Sequence, residues 1–296
     1  MKTVVVTGAA GFAGCNLTEE LVRQDYFVYG VVRPGSPHNE RLRQMERVTL
    51  IETDMLSLTT VAQRISKPCD AFFHLAWMGE RDNFLAQYKN IPCVLQAVEV
   101  AARLGCSRFI CTGSQAEYGI QKDVTTEDTL PNPVNAYGAA KVAALYLSRQ
   151  RAEQVGVDWV WGRIFSLYGP YESQGRMLPD LMRALAETGS FSMTAATQDW
   201  DYLYARDAAK ALIALMEKGH AGEIYNIANG DVRPLKEFTE YVRKRYFPDA
   251  SIRYGQDMRM GTALRPSVEK IYKDTGWRAA TCFEDGMELY SQMLGL

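Results

Sequence analysis

Thr3-Val4-Val5-Val6-Thr7-Gly8-Ala9-Ala10-Gly11-Phe12-Ala13-Gly14 is the stretch that decides the fold. A short β-branched run meets three glycines in the spacing G-x-x-G-x-x-G, and a helical pattern covers Gly11 to Gln24. Glycine lets the chain turn sharply and lets backbone N–H groups approach a pyrophosphate; the start of the helix adds a favourable partial charge. Placed between a strand and a helix, Gly8, Gly11, Phe12, Ala13 and Gly14 read as a dinucleotide-binding turn.

Outward from this turn the same alternation continues. Strands are expected at Thr3 to Thr7, Phe27 to Val32, Thr49 to Glu52, Ala71 to Leu75, Arg108 to Thr112 and Trp159 to Ile164. Helical patterns lie between them at Gly11 to Gln24, Leu58 to Ile65, Asn90 to Leu104 and Ala136 to Gln154. Short apolar strands alternating with helices predict an α/β fold, a Rossmann-type doubly wound parallel sheet. From Tyr168 the pattern loosens into turns, then resumes with a helix at Asp207 to Glu217, a strand at Glu223 to Ile227 and a helix at Leu235 to Tyr246. The expected division is a nucleotide-binding domain of residues 1–166 with a return segment 198–228, and a smaller interleaved lobe of residues 167–197 and 229–296.

Composition narrows the function. The 296 residues are 47% hydrophobic and 23% charged, which suits an ordinary globular chain and excludes disorder and small disulfide scaffolds. A formal net charge of -2 argues against a general nucleic-acid binder. No apolar run reaches the roughly 18 to 20 residues that span a bilayer, and the amino-terminal residues do not read as a secretory signal. Six cysteines without a C-x-x-C pair fit free thiols in the cytoplasm. The three histidines, His38, His74 and His220, are not spaced as ligands, so no metal is expected.

The second strand ends in Val31-Val32-Arg33-Pro34-Gly35-Ser36, with Arg33 19 residues past Gly14 and no acid beside it. An acid there would hold an NAD ribose, whereas a guanidinium suits a 2′-phosphate. NADP(H) is therefore the expected cofactor, with NAD(H) as the alternative.

Tyr137-Gly-Ala-Ala-Lys141 sets a phenol and an ammonium one helical turn apart. A free tyrosine, pKa about 10, is a poor acid or base at neutral pH, and a neighbouring cation favours its phenolate form. Ser114 stands at the carboxyl end of an expected strand, where α/β sheets bind ligands, and its hydroxyl can donate to a carbonyl oxygen.

With these motifs in order, the chain resembles the extended branch of the short-chain dehydrogenase/reductases, the NAD-dependent epimerase/dehydratase family that acts on nucleotide sugars. Matching segments include Asp54-Met55, Phe73-His74-Leu75-Ala76-Trp77, Asn90, Arg163 to Pro170, Asp201 to Asp207, Gly222 to Asn226 and Lys270 to Trp277. The resemblance implies that Ser114, Tyr137 and Lys141 are catalytic. It places Arg33, Ser36, Asp54, Met55, Leu75, Ala76, Trp77, Asn90, Thr112, Tyr137, Lys141 and Ile164 with the cofactor. It also implies that Ser114, Gln115, Ser166, Arg176 and Arg259 contact a nucleotide-diphosphate sugar held by the smaller lobe. The helices at Asn90 and Ala136 would pair into a four-helix homodimer interface. Between Arg233 and Arg265 eight basic side chains face four acidic ones, an excess suited to a diphosphate.

The family's dehydratases carry an Asp-Glu pair where Gln115 and Ala116 stand, and its epimerase-reductases a cysteine where Ala116 stands; none of that acid-base equipment is present. Ser166 and Trp200 replace a common asparagine and arginine, and Thr262 replaces the aspartate of an Arg-x-Gly-Asp segment that starts at Arg259. The leading expectation is thus an NADPH-dependent reductase of a 4-keto-6-deoxy sugar nucleotide. A C4 epimerase with bound NAD is the alternative, and a non-catalytic NADP(H) sensor ranks behind both.

Overall fold

The computed structural model describes residues 2–257 and 262–294. Seven parallel strands form one sheet in the spatial order Glu223–Ile227, Asp158–Ile164, Arg108–Ser114, Ala71–His74, Thr3–Thr7, Phe27–Val32 and Val48–Glu52. The chain winds outward from Thr3–Thr7 in one direction, then crosses to Ala71–His74 and winds out in the other. Val5 sits between Tyr29 and Phe72 in this register. The point where the order reverses opens a crevice at the carboxyl ends of the strands, the usual ligand site of such sheets.

Both faces are covered, which is why the strands are almost wholly apolar. Val4 and Val6 pack with Leu17 and Leu21 of the helix Phe12–Arg23 and with Leu212 and Leu215 of Ala205–Lys218. On the other face Val5, Phe72 and Phe109 meet Val94 and Val98 of Asn90–Arg103 and Ala144 and Leu145 of Ala136–Val155. Full burial of each of these valine, leucine and phenylalanine side chains contributes about 1.5–3 kcal/mol.

Sequence expectations for the sheet hold to within one or two residues, and the fifth strand runs on through Ser114. The expected helix at Leu58 to Ile65 is replaced by a 3-10 segment, Met55–Thr60, and one short α-turn, Val61–Arg64. Asp54 accepts the N–H of Leu56, Ser57 leaves helical geometry, and the Leu-Ser-Leu-Thr-Thr run offers little intrinsic helicity to resist that.

The segment expected to consist of turns after Tyr168 instead contains a helix, Met177–Thr188, ended by Gly189 at φ +66°. Its buried Leu178, Leu181, Met182 and Leu185 follow helical spacing. They join Tyr168, Phe238, Phe283 and Met287 in a separate aromatic-rich cluster. Ile271 and Trp277, late in the chain, pack instead with the core of the sheet.

Asn226 ties distant segments together. Its Oδ1 accepts from Tyr118 Oη at 2.7 Å, its Nδ2 donates to the carbonyls of Thr125 and Ser267, and its backbone N–H donates to Glu127. Among the described residues no helix is long and apolar enough to cross a membrane.

Candidate active site

The first strand delivers Thr7 and Gly8 to the crevice, and Gly8 turns the chain at φ +69°. A Cβ on Gly14 would lie 2.0 Å from the Gly8 carbonyl oxygen, so the helix can start against the turn only because Gly14 has no side chain. A cleft of about 550 Å³ lies beside the turn. Its walls bring together Gly8, Gly11, Arg33, Ser36, Asp54, Met55, Leu75, Ala76 and Trp77 from the expected cofactor set. Thr7, His38, Asn39, Thr53 and Met78 also line it and were not singled out from the sequence. Their types are ordinary at strand ends, and only the packing reveals them.

Other expected positions have supporting places. Gly14 is buried behind the turn, and Phe12, Ala13, Thr112, Tyr137, Lys141 and Ile164 do not line this cleft. Asn90 is buried with its Oδ1 accepting from Met78 N–H at 2.8 Å and its Nδ2 donating to the Met78 carbonyl at 3.0 Å; it holds the wall. Arg33 is exposed at the rim. The carboxylate approaching that rim, Glu52, accepts from Gly35 N–H and pairs with Arg43.

His74 lies under the crevice floor with Nδ1 2.9 Å from Thr7 Oγ1. Burial, aided by the Lys141 ammonium, pushes its imidazole down to about 3, so it stays neutral.

Lys141 is buried and cationic, a costly state unless partnered. Its Nζ donates to the Thr112 carbonyl at 2.7 Å and lies 3.6 Å from the Trp77 ring centroid. Tyr137, one turn earlier on the same helix, meets the Trp77 ring edge-on at 6.0 Å, and Lys141 Nζ is 5.8 Å from its ring centroid. The helix begins at Asn135, whose side chain caps it by accepting from Gly138 N–H.

Ser114 ends the fifth strand and opens a 3-10 turn through a capping box with Glu117. Its Oγ accepts from Ala116 N–H at 3.2 Å, while Glu117 Oε1 accepts from Ser114 N–H at 2.7 Å. Glu117 is fully buried, bonded to Arg163 Nε at 2.7 Å and to the Trp161 indole N–H. It is therefore committed to holding the strand end. Gln115 is half-buried beside Ser114, and Ser166 lies on a short strand paired with Tyr202.

The lobe side differs more from expectation. Arg176 is exposed at the start of Met177–Thr188, and Arg259 lies outside the described residues. The basic excess between Arg233 and Arg265 is largely neutralised by acids from elsewhere. Arg233 pairs with Asp231 and Glu284, Arg245 with Glu288 and Arg265 with Asp199, while Arg243 pairs with Glu240 inside the segment. A local count of charge could not foresee partners that folding brings from distant stretches.

The sequence profile of the NAD dependent epimerase/dehydratase family matches residues 4–228. The uncharacterised UDP-glucose epimerase YtcB of Bacillus subtilis (strain 168) is 25% identical over 246 residues, covering 77% of each chain. The dTDP-D-glucose 4,6-dehydratase of Mus musculus is 23% identical, over 97% of this chain and 87% of that protein. The fold matches the crystal structure of UDP-glucuronic acid 4-epimerase from Bacillus cereus in complex with NAD at a TM-score of 0.86 and 22% identity, covering 98% of this chain and 99% of that one. A parallel seven-stranded sheet, a glycine turn and the ordered Ser114, Tyr137 and Lys141 agree with the profile match, and the chain belongs to the NAD dependent epimerase/dehydratase family.

Proposed function

We propose that this chain is a nucleotide-sugar oxidoreductase acting at one carbon, and that its reaction is epimerisation at C4. The observation that carries this reading is the commitment of Glu117. With that carboxylate locked to Arg163, Trp161 and the Ser114 N–H, and with Gln115 and Ala116 beside it, no acid-base pair for water elimination flanks Ser114. What remains is a hydroxyl, a phenol and an ammonium, enough to move a proton at a sugar oxygen while a hydride leaves or arrives at the same carbon. The names of YtcB and the Bacillus cereus enzyme support epimerase chemistry over simple reduction.

The glycine turn and the 550 Å³ cleft fit a dinucleotide, with Arg33, Ser36, Asp54, Met55 and Trp77 among the residues that line it. When bound, the nicotinamide supplies the hydride acceptor and donor. Tyr137 takes the proton from the sugar hydroxyl and returns it to the carbonyl oxygen after the sugar has turned its other face. Ser114 donates to that oxygen and steadies its developing charge. Lys141 has three donors, one of them used on Thr112, and offers the others to Tyr137 and a ribose hydroxyl.

Arg33 favours a second reading, NADPH-dependent reduction of a 4-keto-6-deoxy sugar, because no acid from the second strand's end faces the cleft beside it. Turnover separates the two. An epimerase interconverts nucleotide hexoses without net change at 340 nm, and a reductase consumes one NADPH per sugar. In either case Tyr137→Phe should abolish turnover; undiminished activity in that variant would remove both readings.

The smaller lobe, on this reading, grips the nucleotide, with Arg176, Ser166 and Gln115 as substrate contacts and Arg259 as a further candidate. The protein is a cytoplasmic homodimer joined through Asn90–Arg103 and Ala136–Val155; exposed Tyr146 and Leu147 on the latter helix, with Phe84, Leu85 and Tyr88 nearby, support that face. Light scattering at the monomer mass would defeat the dimer.

A further inference from the structure

Beyond the triad, the segment that follows Trp77 carries a further cation, Arg81. Arg81 places its guanidinium carbon 4.9 Å from the Tyr137 ring centroid, and its carbonyl accepts from Tyr137 N–H at 3.0 Å. It is exposed and takes part in no ion pair among the described residues. A guanidinium lying against a ring keeps the N–H groups on its edge available, in the fork that matches a carboxylate.

The segment is held in place. Gln87, buried on the helix Phe84–Tyr88, donates its amide to the carbonyls of Met78, Gly79 and Glu80 and accepts from the Trp77 indole at 2.7 Å. Asn90 binds Met78 on both sides of its backbone. Such a brace fixes the path of residues 77–80 that leads to Arg81, which reduces the ordering cost of binding there.

We infer that Arg81 recognises an anionic group on the sugar itself, and that the substrate is a nucleotide-linked uronic acid. The inference rests on the reading of C4 chemistry at Tyr137. In a hexopyranose C6 hangs from C5, next to C4, whereas C1 and its diphosphate lie across the ring. A cation beside the phenol that works on the C4 oxygen is therefore within reach of a C6 carboxylate and faces away from the diphosphate. Gln87 and Asn90 are positioning residues in this arrangement, and Arg81 determines specificity.

The test uses the holoenzyme and matched ligands: glucose and glucuronic acid carried on UDP, the same pair on dTDP, and each bare nucleoside diphosphate, measured by calorimetry and by turnover. The expected result is a preference for the uronic acid over the neutral sugar on the order of tenfold. That ratio should collapse toward one in Arg81→Gln and fall to an intermediate value in Arg81→Lys, which keeps the charge and loses the fork. Equal affinity of the native protein for acid and neutral sugars, with turnover of both, overturns the inference and leaves the epimerase reading standing. Loss of bare diphosphate affinity in Arg81→Gln by the same factor moves Arg81 to the diphosphate and also overturns it. Absence of binding by every ligand withdraws the nucleotide-sugar reading, and the inference with it.

Discussion

Glu117 and Arg163 form an ion pair at 2.7 Å with side chains 0% and 2% exposed, directly behind the backbone of Ser114. Removing one partner of a buried pair leaves the other charge uncompensated, at a cost of about 3–5 kcal/mol. Glu117→Ala is therefore expected to lose about that much stability in urea unfolding. Arg163 also lies over the Tyr118 ring at 4.2 Å, so Arg163→Met should cost a similar amount. A change below about 1 kcal/mol in both variants would show that the pair is dispensable.

Gly14→Ala tests the phosphate turn. The added Cβ meets the backbone of Gly8 and Ala9, which cannot swing aside as a flexible side chain would. The helix start must shift, and dinucleotide binding measured by fluorescence titration is expected to weaken by at least about tenfold. Unchanged affinity would mean that the turn does not touch the cofactor.

Arg33→Asp tests the second reading, the proposal that the rim guanidinium selects the cofactor. Arg33→Asp introduces a group that repels a 2′-phosphate and can accept from a 2′-hydroxyl. The ratio of NADPH to NADH affinity is expected to fall by about tenfold or more. A native preference for NADH of tenfold, or a ratio indifferent to the substitution, would refute the assignment.

Glu172 gives the folded state a pH dependence. Burial pushes its carboxyl up to about 8 against the pull of the Arg176 guanidinium, and Oε2 has no hydrogen-bond partner among the described residues. The folded chain therefore keeps a proton that the unfolded chain has already released. Its contribution to stability falls as pH rises from about 4.5 to about 8, by no more than about 1.4 kcal/mol per pH unit, and levels off above. Urea midpoints of Glu172→Gln should be less pH-dependent than those of the native chain, with the variant the more stable at pH 8; parallel curves would contradict this.

Much of this architecture is written in local sequence. Val4 to Val6, Phe72 and Phe109 are apolar on both faces because helices cover both, and the period of the pattern records it. Ser114, Tyr137 and Lys141 stand out in the sequence because hydroxyl, phenol and ammonium occur in a chemically meaningful order, and their joint role is the proposal that Tyr137→Phe tests. The helix Met177–Thr188 was hidden by the Gly, Pro and Tyr that precede it, although Leu178, Leu181 and Leu185 carried its period. Gln87 and Arg81 were illegible for a different reason: a buried amide bracing carbonyls of another segment has no local signature. The arginines from Arg233 to Arg265 looked like an anion site until Asp199, Glu284 and Glu288 arrived from elsewhere.

The bonds of Asn226 reach beyond the geometry of one side chain. They fasten Thr125, Ser267 and Tyr118 to the last strand of the sheet, so the chain past residue 228 is stitched to the layer it follows. Cutting there would strand polar groups in the interior, and neither fragment would inherit a finished surface. Heating should accordingly produce one calorimetric endotherm for the whole molecule, with the lobe melting together with the sheet, and a chain shortened to the span of the family profile should be prone to aggregation.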